Sequence, residues 1–560
     1  MTNGIAAGAS AERIAPGTLM ALVAMGLAVF VLANDFTAMS VALTQIEHDF
    51  NSDVTTVQWV INAYALVFGV LIVTGGKLAD MFGRRRIFFV GTAIFALFSF
   101  LGGIAPNVIW LIGARALMGI GGAMMWPAIL GMTFAALPER KAGLAGGMIL
   151  GIAGLGNAVG PLVGGLLTDA FGWRWIFFLN LPIALIAVVV TWAKVHQPAE
   201  RAPGQRLDYL GVAVLSLGLI ALLVALDQAN SWGFSDYRTL ILFALCVLLL
   251  ASFPFVERRA GANALLPAAL VRNRQFMAAC VSILLLSSTF FAALLYLPEF
   301  MQKLLDYSAL RAGLGLLPLM ASFALVSFVA GALYERLGAK LVTALGAACM
   351  TVGVLFFSMI GPDAGYGSFV GGMILLGVGL GLFLSSATTA GVVALEHSQA
   401  SLAGGVLYLF QIAGGSVGLG LVTAVFISGA LAHVHAADAA NQLNGMQEQA
   451  VMGVLAGTST ARQLLEQFPA LGAHLAEVAR AAFAAGMHAS FRIVGVLGAL
   501  GFVVALVFLG GRLHVWRKVG TPGPELRRPS ARFHHRAYHW GRAPERSAAS
   551  APETEKARSI

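Results

Sequence analysis

Gly76-Lys77-Leu78-Ala79-Asp80-Met81-Phe82-Gly83-Arg84-Arg85-Arg86 joins two long apolar runs near the N-terminus, and Gly331-Ala332-Leu333-Tyr334-Glu335-Arg336-Leu337-Gly338-Ala339-Lys340 joins two more in the second half. Both fit Gly-x-Leu-x-acid-x-x-Gly followed by cations. A short loop that recurs in the two halves of an apolar chain points to a membrane transporter built from repeats.

The composition around these loops fits that setting. Of 560 residues, 58% are hydrophobic and 11% charged, and the mean hydropathy is +0.83. A water-soluble protein so apolar would expose large sticky patches, so the solvent is lipid. Runs of about 18 or more apolar residues recur along most of the chain, each long enough to cross a bilayer as a helix. The first run, 18–43, is too long for a signal-peptide core and reads as a retained span. Cys246, Cys280 and Cys349 all fall inside apolar runs and form neither a disulfide framework nor a zinc spacing.

Fourteen spans are expected, an all-α integral membrane protein. Residues 1–17 form an N-terminal segment, 18–193 a six-helix bundle, 207–256 an inserted two-helix hairpin and 276–510 a second six-helix bundle. Residues 431–486 read as a long outer loop, rich in Ala, Gln and Leu and able to hold short amphipathic helices, and 511–560 as a basic disordered tail. The hairpin follows from the echo itself: the loops come after the second and tenth spans, whereas six helices per half would put the second after the eighth. With loops assigned alternately to the two sides, those on the side of the termini hold 15 Lys and Arg and the opposite loops 6. The positive-inside bias therefore places both termini in the cytoplasm. The net charge of +9 says little about nucleic acid, because the segment from Arg512 onward holds 11 Lys and Arg against 4 Glu. Such a tail stays solvated or touches anionic headgroups. No metal site is expected of its histidines, His534, His535 and His539.

Asp35 is the sharpest chemical signal. It interrupts the first span, and an ionisable group at that depth is costly unless it is paired or faces a watery cavity. Burial raises its pKa and a cation lowers it, so a carboxylate between those pressures can take up and release a proton. A purely structural ion pair is the plainer alternative. Arg115 in the fourth span falls in the same half of the membrane and is the expected partner of Asp35.

Within the first loop, Asp80 can cap or charge-stabilise a helix N-terminus. Gly76, Asp80, Gly83, Arg84 and Arg85, with Glu335 and Arg336 in the echo, read as a conformational latch or, more plainly, as a solvated positive anchor. Gly156, Gly160, Pro161, Gly164 and Gly165 in the fifth span give a smooth helix face and a bend. Asn34, Trp59, Asn62, Tyr64, Tyr408 and Gln411 are candidates for lining a central cavity, with ordinary packing an open alternative. Lys77 after Gly75-Gly76 does not make a phosphate loop, so pumping would draw on an ion gradient and no cofactor is expected. No His/Asp/Ser constellation suggests an enzyme.

Taken together, these residues resemble the major facilitator superfamily, and specifically its fourteen-helix drug:proton antiporter branch. Residues 76–86 look like its loop signature and Arg115-Ala116-Leu117-Met118-Gly119-Ile120-Gly121-Gly122 like its fourth-helix signature. Residues 156–165 look like the antiporter signature of its fifth helix. Asn34-Asp35-Phe36-Thr37 with Val41-Ala42-Leu43 resembles its first-helix signature. Trp173-Arg174-Trp175-Ile176-Phe177-Phe178-Leu179-Asn180-Leu181-Pro182 is similar to a stretch typical of that branch.

The resemblance implies alternating access in a bacterial cytoplasmic membrane, with export of a hydrophobic or amphipathic, often cationic, drug in exchange for a proton. It makes Asp35 the coupling carboxylate, Arg115 its partner and Asp80 with Arg84 the inner latch. Met81 stands where the family often has Arg, and the thirteenth span carries no acid. A monomer is expected, with a periplasmic adaptor protein as partner in a Gram-negative host. A dedicated exporter or importer of one metabolite is the alternative.

Overall fold

The computed structural model describes residues 16–52, 54–138, 141–195, 207–233, 235–439 and 469–510. In lipid, a spanning segment must satisfy every backbone N–H and C=O within itself, and long apolar runs therefore fold as helices. Among the described residues fourteen helices are long and apolar enough to cross a membrane, and no strand is present. The first six are α1 (Pro16–Phe50), α2 (Val54–Phe82), α3 (Arg84–Gly103), α4 (Val108–Ala136), α5 (Ala142–Phe171) and α6 (Arg174–Lys194). A hairpin follows, α7 (Tyr209–Trp232) and α8 (Tyr237–Ala260). The remainder comprises short α9 (Ala268–Arg272), α10 (Arg274–Lys303), short α11 (Ala309–Gly315), α12 (Leu317–Leu337), α13 (Ala339–Phe357), α14 (Gly367–Val393), α15 (Ala400–Ala439) and α16 (Pro469–Phe508).

The helix pairings repeat. In the first bundle α1 lies on α5 and α6, α4 on α2 and α3, and α3 on α6. In the second, α10 lies on α15 and α16, α14 on α12 and α13, and α13 on α16. The bundles meet through α2 against α15 and α5 against α12. The central helices α1 and α10 each bury 67% of their apolar window, whereas α8 buries 11%. The hairpin is thus peripheral: α7 touches α2 and α15, and α8 turns its apolar surface outward.

Within 431–486 the helix at each end continues a flanking span, because α15 runs to Ala439 and α16 starts at Pro469. Each of the two helices has 40 residues, about 60 Å at ~1.5 Å per residue, twice the ~30 Å hydrocarbon layer. Hydropathy falls at the membrane edge, but alanine-rich sequence keeps its helix propensity there. The stretch 440–468 and the basic tail 511–560 lie outside the described residues.

Candidate functional site

Five helices of the first bundle converge on Asp35. Asp35 and Arg115 are both fully buried, and Nη1 of Arg115 donates to Oδ2 of Asp35. Nδ2 of Asn180, on α6, donates to the other carboxylate oxygen at 2.8 Å and to Ser99 Oγ of α3 at 3.1 Å. Ser99 in turn donates to the Phe177 carbonyl at 2.8 Å. From Arg115, Nε donates to the Val60 carbonyl of α2 at 2.9 Å, and the guanidinium lies 4.4 Å from the centroid of the Tyr64 ring. Nη2 of Arg115 and Oδ1 of Asn180 are buried without a hydrogen-bond partner, so the cluster is paired but incompletely saturated. A buried ion pair of this kind gains little net stability, yet removing one partner costs about 3–5 kcal/mol. Asn180 and Ser99 were not singled out from the sequence, although an amide inside an apolar span was the available signal.

The two echoing loops are built alike. Each turns at a glycine with positive φ, Gly83 at 100° and Gly338 at 84°, a conformation that L side chains rarely adopt. Their first glycines are where the bundles touch. A Cβ at Gly76 would lie 2.7 Å from the Ser401 carbonyl oxygen, and one at Gly331 would lie 2.5 Å from the Gly143 carbonyl oxygen. Their acids then cap a helix of the opposite bundle. Asp80 accepts from Ser401 N at 3.3 Å and Leu402 N at 2.8 Å, at the start of α15. Glu335 accepts from Leu144 N at 3.3 Å, at the start of α5. Unpaired N–H groups and the positive dipole end make a helix start a natural seat for a carboxylate.

The copies differ in their cations. Arg84 pairs with Asp80 at 3.2 Å, donates to the Gly131 carbonyl at 3.0 Å and reaches the His397 carbonyl, tying α3, α4 and the start of α15 together. Arg85 instead donates to the Trp192 carbonyl of α6 at 2.8 Å, within its own bundle. Arg336 is exposed.

Along α5 the small residues face two ways. A Cβ at Gly156 would lie 2.9 Å from the Phe30 carbonyl oxygen, one at Gly160 1.9 Å from Thr37 Oγ1, and one at Gly164 2.4 Å from the Ala38 carbonyl oxygen. These three seat α1, on both sides of Asp35, directly on α5. Gly165 faces the other bundle, where an added Cβ would lie 3.0 Å from Leu310 of α11, and Pro161 approaches Gly313 there.

A cleft of about 310 Å³ lies between α2, α7 and α15. Trp59 and Asn62 line it, with Phe36, Phe291 and Ser416. The other expected cavity residues sit elsewhere. Asn34 is buried, Tyr64 stacks over Arg115, and Tyr408 packs on Trp126 at 4.7 Å and Phe68 at 5.4 Å between ring centroids. Gln411 is half-buried on α15. Leu223, Val224 and Leu226 of the inserted hairpin complete the wall, and no sequence signal marks them.

Trp173 and Arg174 fasten the start of α6 to the end of α1. Trp173 Nε1 donates to Asp49 Oδ2 at 2.9 Å, and Arg174 pairs with Asp49 at 3.5 Å. That clasp fixes the depth at which Asn180, two turns along α6, meets Asp35.

Comparison with known proteins agrees with this architecture. Residues 25–423 match the Major Facilitator Superfamily family model. The chain is similar to the tetracenomycin C resistance and export protein of Streptomyces glaucescens, at 31% identity over 87% of this chain and 90% of the relative. It is also similar to the puromycin resistance protein of Streptomyces alboniger, at 34% identity over 72% and 81% of the two chains. The multidrug transporter protein MdtP of Bacillus subtilis is 28% identical over 86% and 91%. The fold matches the crystal structure of the human organic anion transporter MFSD10 with a TM-score of 0.56, at 13% identity, over 88% of this chain and 100% of that one. The chain belongs to the Major Facilitator Superfamily, and these relatives are named as resistance, export and multidrug transporter proteins.

Proposed function

We propose that this protein exports amphipathic drugs or toxic compounds across a bacterial cytoplasmic membrane in exchange for protons, by alternating access of its two bundles. The observation that carries the reading is the fully buried Asp35, held by Arg115 and Asn180 in the first bundle. A carboxylate in that setting is costly to leave charged whenever its pairing loosens, so a change of access to it becomes a change of protonation. Asp80 and Glu335, each seated on a helix start of the opposite bundle, act as the latch that closes one face. The excess of positive loops puts that face in the cytoplasm, with both termini.

Relatives named for drug resistance and multidrug transport support export. Relatives named for one antibiotic, such as tetracenomycin C and puromycin, favour a second reading, a dedicated exporter of a single metabolite. Efflux of an uncharged amphipathic fluorescent dye from cells, with and without a protonophore, tests both readings. Wild type should expel the compound, and both the protonophore and Asp35→Asn should abolish expulsion. Efflux that survives both treatments would sink proton antiport, and efflux of no amphipathic compound would favour the single-metabolite reading.

A further inference from the structure

The cleft between α2, α7 and α15 is chemically unlike the cluster behind it. None of its lining residues is ionisable. Its hydrogen-bonding side chains are Trp59, Asn62 and Ser416, set among aromatic and aliphatic groups. Phe36 reaches the cleft, whereas its neighbour Asp35 points into the bundle and is fully buried. Tyr64 closes the gap between them, with its ring 4.4 Å from the Arg115 guanidinium on one side and 6.4 Å from Phe36 on the other. A monocation placed here would meet no counter-charge, and a cation–π contribution of about 0.5–2 kcal/mol from the rings falls short of a desolvation cost of several kcal/mol. An uncharged aromatic amphiphile meets rings, aliphatic walls and a few polar groups at no such cost.

The wall contributed by the hairpin is intimate. A Cβ added at Gly420 of α15 would lie 2.8 Å from Leu226 of α7. The volume of about 310 Å³ falls at the small end of the ~300–1,000 Å³ usual for ligand pockets. The cleft is also remote from the latch: Ile412 is about 18 Å along α15 from its start, at ~1.5 Å per residue.

We propose that this cleft binds uncharged amphipathic molecules, that α7 of the inserted hairpin is one of its walls, and that the bound molecule is kept apart from Asp35 in this state. The proposal rests on the export reading and narrows its substrate class. The test is equilibrium binding to the purified full-length protein in nanodiscs, read with the uncharged fluorophore N-phenyl-1-naphthylamine. Saturable binding is expected, with Val224→Trp, which fills the cleft, weakening it about tenfold or more. Leu248→Trp on the outward face of α8, where Leu248 is 67% exposed, should bind as wild type does. Tetraphenylphosphonium, a permanent cation, should fail to displace the fluorophore.

Undiminished binding by Val224→Trp overturns the assignment, as does displacement by the cation at equal concentration. Fluorescence that tracks lipid content without saturating makes the cleft a lipid-filled seam and also overturns it. Alkylation of Val224→Cys by N-ethylmaleimide, read against the wild-type background, covers the case in which the tryptophan variant misfolds. The fluorophore should slow it, and an unchanged rate counts against the proposal. Binding that persists while protonophore-sensitive efflux is absent removes the antiport reading and leaves the cleft standing. Intact efflux with no cleft binding does the reverse.

Discussion

The two six-helix bundles share one pattern of helix pairing but not one chemistry. Asp35, Lys77 and Arg115 are the acidic and basic side chains buried among the described residues, and all belong to the first bundle. The second buries small hydroxyls on its central helix, such as Ser287, Ser288 and Thr289 on α10. Each of those hydroxyls bonds a carbonyl three or four residues back in its own helix, as Ser287 Oγ does to Ile283 O at 2.6 Å. Repetition here preserves what positions helices, whereas the buried acid and its cationic partner are confined to one copy. Under the proposed antiport, two similar bodies move against each other while only one of them holds the charge that responds to access.

The largest expected effect tests that asymmetry. Arg115→Ala should destabilise the protein by about 3–5 kcal/mol, by stranding a buried carboxylate, whereas Ser287→Ala should cost at most about 1 kcal/mol. Thermal unfolding in detergent reads both, and equal losses would dissolve the contrast. Replacing Asp35 and Arg115 together by leucine should recover most of the stability while export stays lost.

Next come the glycine contacts. Gly160→Val should cost about 1–3 kcal/mol through overpacking. Gly414→Val, its counterpart on α15, where a Cβ would lie 2.0 Å from the Leu284 carbonyl oxygen, should cost at least as much. Only the first should change proton coupling for a given loss of stability, because only α5 carries the helix that holds Asp35. Asn180→Leu removes a hydrogen bond to a charged group, a loss of about 1.5–3 kcal/mol. It should reduce proton-coupled efflux more than it reduces fluorophore binding in the cleft.

The smallest effects separate the two loops. Asp80→Asn keeps one accepting oxygen but loses the other cap bond and the ion pair with Arg84, and should cost about 1–2 kcal/mol. Glu335→Gln, at an exposed single contact, should cost a few tenths. Denaturant midpoints of the purified variants decide the order, and a larger effect at Glu335 would reverse the assignment of the stronger latch.

Much of this was readable before any coordinates. Opposite charges in two apolar spans at similar depth are so costly apart that Asp35 and Arg115 had to meet or face water, and they meet. The echoing loops were readable because a tight turn and a close backbone approach both demand glycine, at Gly83 and Gly338 and at Gly76 and Gly331. Asn180 was harder, since one amide in an apolar run has several ways to be satisfied. The wall made by Leu223, Val224 and Leu226 left no trace, because an apolar side chain reads the same facing a ligand or facing lipid. Helix in the outer stretch was legible in its alanine content, but its continuity with α15 and α16 was not, because hydropathy falls where alanine propensity keeps a helix going.

Proton movement by the purified protein in liposomes tests the central claim most directly. With a pH-sensitive dye inside and an outward gradient of a transported compound, wild type should acidify the lumen as the compound leaves. Asp35→Asn should retain fluorophore binding and move no protons. Lumenal acidification by Asp35→Asn at the wild-type rate would contradict the account, because the proton would then travel on some other group.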